Sequence, residues 1–317
     1  MVYNSGIYLL RMKIEKQEHK FYTKEEVLEK INAYHTLIVN HISFSFARIT
    51  IHLYNDDRDD YPRMVFALSS IAYSYSRGAS PLSQEDKERI VRLFWSLHDK
   101  AKGVCDEKEK LYVLLYGIQM LSYLKAPHDI LVEEFKHSPY KELFTYPVMT
   151  YCFMTAYIKS DALKDCDYAG ELFLQAKKVF DYYLYSNKKE EMLPFYFAEL
   201  SYHEAYIEKH MLKRAESIIV SKLPDYLKNG ASASGVAKCM EHFARIQDLE
   251  HFRLCEQFLQ KERNVSKFAI YSDKKFSNYS QYMYTESEDS QYMSLDTFAH
   301  LLMAFSTLYT NSHTTHV

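Results

Sequence analysis

Apolar residues recur at three- and four-residue intervals along most of this chain, with polar residues filling the opposite side of the helical wheel. One stretch, Phe66-Ala67-Leu68-Ser69-Ser70-Ile71-Ala72-Tyr73-Ser74, is echoed near the other end. There Phe298-Ala299 and Ala304-Phe305-Ser306 stand at the same internal spacing. Small and large residues alternate at turn spacing, as in Phe66, Ser69, Ser70, Tyr73 and again in Leu114, Gly117, Met120, Leu121. Small positions let neighbouring helices approach and large ones fill the grooves between them.

Start and stop signals divide this pattern into helices. Thr23-x-x-Glu26 has the spacing of a capping box, which predicts a helical region running to about Tyr54. Helices follow at about 62 to 77, closed by Gly78, and at about 84 to 101, opened by Pro81 and Ser83-x-x-Asp86. Further pairs are expected at about 107 to 124 with 128 to 137, 140 to 159 with 165 to 186, 190 to 209 with 211 to 228, and 232 to 247 with 250 to 262. Turns carrying Pro127, Pro139, Asp161 and Asn229-Gly230 are short enough to make each pair antiparallel. The fold expected is all-α, an α-solenoid of antiparallel helical hairpins with a repeat of roughly 40 to 50 residues.

This divides the chain into an N-terminal extension over 1–22, a helical-repeat array over 23–262, a polar loop over 263–293 and a terminal helix within 294–317. The polar segment is rich in Ser, Tyr and Gln, and Ser280-Gln281-Tyr282-Met283 recurs in it as Ser290-Gln291-Tyr292-Met293. The terminal helix, about 295 to 309, has no hairpin partner in the sequence. Its apolar face of Phe298, Leu301, Leu302 and Phe305 is expected to cap the array or meet another molecule. Together with Tyr282 and Tyr292 it supplies the candidate partner-binding residues.

Composition supports the helical reading. Seven Gly and seven Pro in 317 residues leave few interruptions, and 47% hydrophobic content is ample for a continuous core. The 29 Tyr and 19 Phe are read as amphipathic boundary residues between helices. A formal net charge of -3 does not support RNA or DNA binding through a basic stripe, although a local basic patch remains open. Five cysteines without a CxxC pair indicate reduced, buried thiols. No run approaches the roughly 18 apolar residues of a membrane span. Residues 1–14 carry Arg11 and Lys13 and no acid before Glu15, which has some likeness to an organelle-targeting presequence.

Two clusters could carry metal chemistry. Asp56, Asp57 and Asp60 match the DDxxD spacing with which helical prenyl-transfer enzymes hold magnesium on a diphosphate. A second acidic motif for the facing helix is not found, so the reading preferred is a solvated acidic loop before Pro62. Cys239, His242, His251 and Cys255 fall on two adjacent helices and are weak zinc candidates, since C-x2-H-x8-H-x3-C matches no common structural pattern. Neither a Gly-rich phosphate loop nor a nucleophile elbow or HExxH is present. The expectation is a non-catalytic protein without cofactor.

The alanine- and leucine-rich helices around Phe66–Ser74 and Leu295–Phe305 resemble those of octotricopeptide and heptatricopeptide repeat proteins. The RAP module often found with such repeats does not occur in this sequence. The resemblance implies an organellar, RNA-linked setting: an interaction subunit of a mitochondrial ribonucleoprotein assembly, with protein subunits as partners and the mitochondrial matrix, or alternatively the cytoplasm, as its location. The alternative class is a helical receptor for a peptide or protein segment, lined by Tyr and Phe.

Overall fold

The computed structural model of the chain describes residues 22–51, 60–138, 147–185, 209–228, 233–263 and 295–314. Among the described residues there are twelve helices and no strands. They are α1 (Lys24–Ile51), α2 (Asp60–Ser76), α3 (Gln84–Val104), α4 (Glu107–Leu124), α5 (Asp129–His137), α6 (Pro147–Lys159), α7 (Asp161–Lys164), α8 (Asp167–Tyr185), α9 (Lys209–Lys228), α10 (Ala233–Arg245), α11 (Leu249–Arg263) and α12 (Leu295–Thr314). The chain is therefore all-α where it is described. No helix among these residues is long and apolar enough to cross a membrane.

The ends of the helices follow local chemistry. Thr23 and Glu26 satisfy each other's amides, at 2.8 and 3.2 Å, in the expected capping box. Ser83 with Asp86 does the same for α3, and Asp106 with Glu109 for α4. Gly78 ends α2 with a φ of +67°, a left-handed turn that a side chain would strain. Differences from the expected elements are small. The region from Thr23 is one 28-residue helix ending at Ile51, and the turn expected at Asp161 is itself the short helix α7, capped by Ser160. The helix expected at 190 to 209 lies outside the described residues except for Lys209, which begins α9.

Five of the helices run in the same direction. Phe66 meets Tyr116 and Tyr73 meets Tyr123, with ring centroids 5.0 and 5.4 Å apart, a constant register between α2 and α4. Tyr116 meets Cys152, and Lys159 lies over Tyr123, which sets α6 parallel to α4. On the other side of α2, Arg63 pairs with Asp296, Ser74 with Ser306, Tyr73 with Thr307, and Thr310 reaches the carbonyl of Arg77. The steady offset makes α2 and α12 parallel and in register, so the two copies of the Phe-Ala seam pack on each other. From α12, His300 reaches Glu241 and Asn311 the carbonyls of Ala244 and Arg245, so α10 shares the direction.

The row is thus α6, α4, α2, α12, α10, with α3 against α2 and α4, α8 against α6, α11 against α10, and α1 laid across α2 and α12. The unpartnered terminal helix of the sequence lies inside this row, between α2 and α10. Phe298, Leu301, Leu302 and Phe305 are 1% exposed or less. Phe305 stacks on Tyr34 of α1 at 5.8 Å and meets Phe252 of α11 edge-on at 5.3 Å. At about 1.5 to 3 kcal/mol each, the four side chains contribute on the order of the whole stability of a typical domain.

Candidate functional site

Because the five helices run in parallel, their first turns come to the same end of the molecule. A pocket of about 270 Å³ opens there. α2 contributes Pro62, Arg63 and Phe66; α4 contributes Tyr112 and Tyr116; α6 contributes Tyr151; α10 contributes Ser234 and Lys238; α12 contributes Asp296 and His300. Lys238 of α10 places its ammonium 4.2 Å from the ring centroid of Tyr151 on α6, bridging the two ends of the row.

The walls are aromatic. Phe66 lies 5.0 Å from Tyr116 and 4.8 Å from His300, and Tyr112 stacks on Tyr116 at 6.1 Å. The Cys152 thiol donates to the Tyr116 hydroxyl at 3.1 Å, and Gln119 donates to the Cys152 carbonyl at 3.1 Å, so the rear of Tyr116 is fixed. Burial, and then the neighbouring Cys152, keeps the Tyr116 phenol well above its ordinary range. Burial likewise pushes the Cys152 thiol up to about 11, so both stay protonated at neutral pH.

The charged groups are arranged by depth. At the mouth the half-exposed Arg63 faces Asp296, Nε to Oδ2 at 3.5 Å. Deeper, Lys238 is 94% buried (6% exposed). Behind His300 is Glu241, which is fully buried; Arg245 holds its Oε1, while its Oε2, 3.5 Å from His300 Nδ1, accepts no hydrogen bond.

The residues singled out in the sequence fall elsewhere. Asp56 and Asp57 lie outside the described residues, and of Asp60 only the backbone is described, as the first residue of α2. Cys239 and Cys255 are neighbours inside the α10–α11 interface, both buried. His242 and His251 do not join them: their rings flank Phe243 at 5.3 and 5.1 Å. His251 is bonded instead to Asp248 at 2.6 Å. Among the described residues no three His, Cys, Asp or Glu side chains converge as metal ligands. The apolar face of Phe298, Leu301, Leu302 and Phe305 is covered by the chain's own helices, and Tyr282 and Tyr292 lie outside the described residues.

Sequence reasoning passed over Arg63, Tyr116, Tyr151, Lys238, Asp296 and His300 as site residues. For Arg63, Asp296 and His300 the repeated seam is a partial signal, while nothing in the sequence marks Tyr116, Tyr151 or Lys238. Placed side by side in register, the two copies of the seam bring Arg63 opposite Asp296 and Phe66 near His300. Comparison with family models, with curated proteins and with solved structures finds no match to this chain.

Proposed function

We propose that this protein is a binding protein that holds its ligand without transforming it, a helical receptor for a segment of a peptide or protein. The observation that carries this reading is the pocket where five parallel helices begin, with Phe66, Tyr112, Tyr116 and Tyr151 around a small set of fixed charges. Mostly aromatic walls with a few oriented polar groups are the usual chemistry of a recognition site. Neighbour-to-neighbour packing from α4 through α6 and α7 to α8 and α9 supports a solenoid of hairpins over that stretch. In this reading α12 closes it against α1 and α2.

The test is selection of a random peptide library on the purified chain. A peptide family enriched on the wild type and lost on Tyr112→Ala and Tyr116→Ala supports the receptor. Failure to enrich any sequence over the double variant rejects it.

A second reading, the interaction subunit of a larger assembly, is favoured by a different observation. Ile130 on α5 and Leu174 and Tyr182 on α8 are large apolar side chains, each exposed by more than half. A mitochondrial ribonucleoprotein is the setting that the repeat resemblance implies for it. Mass spectrometry of the natively purified protein, with analysis for bound RNA, separates the two: a stoichiometric set of subunits supports the assembly, and a lone monomer rejects it.

A further inference from the structure

Cys239 and Cys255, which the pocket does not use, face each other across the α10–α11 interface. We infer that they are a latent disulfide: a peroxide joins them, and the bond staples α10 to α11.

The register of the hairpin places the two sulfurs together. α10 and α11 are joined by a tight turn in which the Asp248 amide donates to the Phe243 carbonyl at 2.9 Å and Gln247 takes a φ of +58°. Beside this turn Phe243 and His251 are stacked, with ring centroids 5.1 Å apart. Antiparallel helices repeat such a pairing turn by turn. Four residues back from Phe243 along α10 is Cys239, and four residues on from His251 along α11 is Cys255. Both side chains are fully buried, and each thiol is within hydrogen-bonding reach of the other. The Cys239 thiol also donates to the Gly235 carbonyl at 3.1 Å, but a thiol is a weak donor and loses little by turning away. Cys152, by contrast, is turned to the Tyr116 hydroxyl.

The step balances with a peroxide as oxidant. One sulfur, as thiolate, attacks a peroxide oxygen; the O–O bond breaks, an S–O bond forms, and hydroxide leaves to become water with the thiol's proton. The second thiol then attacks the sulfenic sulfur, the S–S bond forms, the S–O bond breaks, and another water leaves. Each sulfur gives up one electron, and the peroxide takes up both. A small uncharged oxidant is the class that suits a site without exposed surface. Burial, and then the neighbouring Cys255, holds the Cys239 thiol well above its ordinary pKa, so attack is slow. The same burial shields the finished bond from reductants. The pair therefore records sustained oxidation and ignores a brief pulse.

What the bond fixes is the join between two faces. α10 carries Ser234 and Lys238 of the pocket, while α11 sets Phe252 against Phe305 of α12 and Glu256 2.8 Å from Lys30 of α1.

The experiment treats the native full chain with hydrogen peroxide, blocks the remaining thiols with iodoacetamide and maps the product with trypsin without reduction. The expected product is a monomer lighter by two hydrogens, its five free thiols reduced to three because two are consumed. Its map should contain the peptide Cys239–Arg245 linked to the peptide Leu254–Lys261. The same treatment in urea should give mixed pairings, since the unfolded chain no longer sets the register. Cys255→Ser should lose the link and leave Cys239 as a sulfenic acid that dimedone traps.

Sulfenic or sulfinic acid at Cys239 and Cys255 without the link overturns the inference. So does a native link through Cys105, Cys152 or Cys166, or a native mixture as broad as that in urea. Thiols that stay intact in the native chain under peroxide that consumes them in urea would overturn it as well. The wild-type map decides each of these even if Cys255→Ser fails to fold.

Discussion

His242 sits on α10 with 1% of its surface exposed and neither ring nitrogen hydrogen-bonded. Burial, helped by the nearby Arg245, holds its pKa down at about 3 against an ordinary 6.5. Below about pH 6.5 the unfolded chain binds a proton at this position and the folded chain does not until about pH 3. Stability therefore falls as pH drops through that window, by up to about 1.4 kcal/mol per pH unit from this group. Across the Phe243 ring, His251 is shifted the other way by its bond to Asp248. Its contribution is fully present below pH 6.5 and lost as pH rises through its raised pKa. Thermal melts from pH 7 to pH 4 should therefore flatten in His242→Leu and steepen in His251→Gln. At pH 7 the leucine variant should melt no lower than wild type, since it removes two unsatisfied buried nitrogens. Unchanged slopes in both variants would contradict this account.

Between elements, Gly117 of α4 lies close under Phe94 of α3. A Cβ added at Gly117 would stand 2.3 Å from Phe94 Cζ and 2.4 Å from Cε2, and Phe94 is fully buried with no room to swing away. Alanine favours a helix over glycine by about 1 kcal/mol, but overpacking of this kind costs about 1 to 3 kcal/mol. Gly117→Ala should thus be destabilising in urea denaturation, with Phe94→Leu in the same chain restoring part of the loss. At this scale the sequence was informative. Thr23-x-x-Glu26 and Ser83-x-x-Asp86 announced their caps because a cap is made within four residues. The alternation of Gly117 with Leu114, Met120 and Leu121 announced a close approach. Which helix approaches was not legible, because a small residue marks the space and not its occupant.

Over the whole molecule, α12 determines the arrangement. Phe305 joins α12 both to Tyr34 of α1, which Phe298 also meets, and to Phe252 of α11. Phe305→Ala is expected to cost about 3 to 5 kcal/mol, measurable as a shifted denaturation midpoint. Truncation before Leu295 should abolish cooperative unfolding, since it strips the faces of α1, α2 and α10 at once. The all-α class was readable from the 3.6-residue period, and the seam was readable as a repeat. Its copies, however, were read as the two ends of an array, whereas Ser306 donates to Ser74 across a single interface. The pocket was illegible for the same reason. Arg63, Tyr116, Tyr151, Lys238 and His300 belong to five separate helices and become neighbours only once the parallel row forms.

The in-register pairing of those seams also sets a schedule for synthesis. Ser74 leaves the ribosome 232 residues ahead of the Ser306 that it must bond. At about 5 to 20 residues per second, the apolar face of α2 waits about 10 to 50 s for its cover. During that interval Phe66, Tyr73 and Ser74 lack His300, Thr307 and Ser306, the groups they meet on α12 in the folded chain, so the nascent chain should be a client of holding chaperones until α12 emerges.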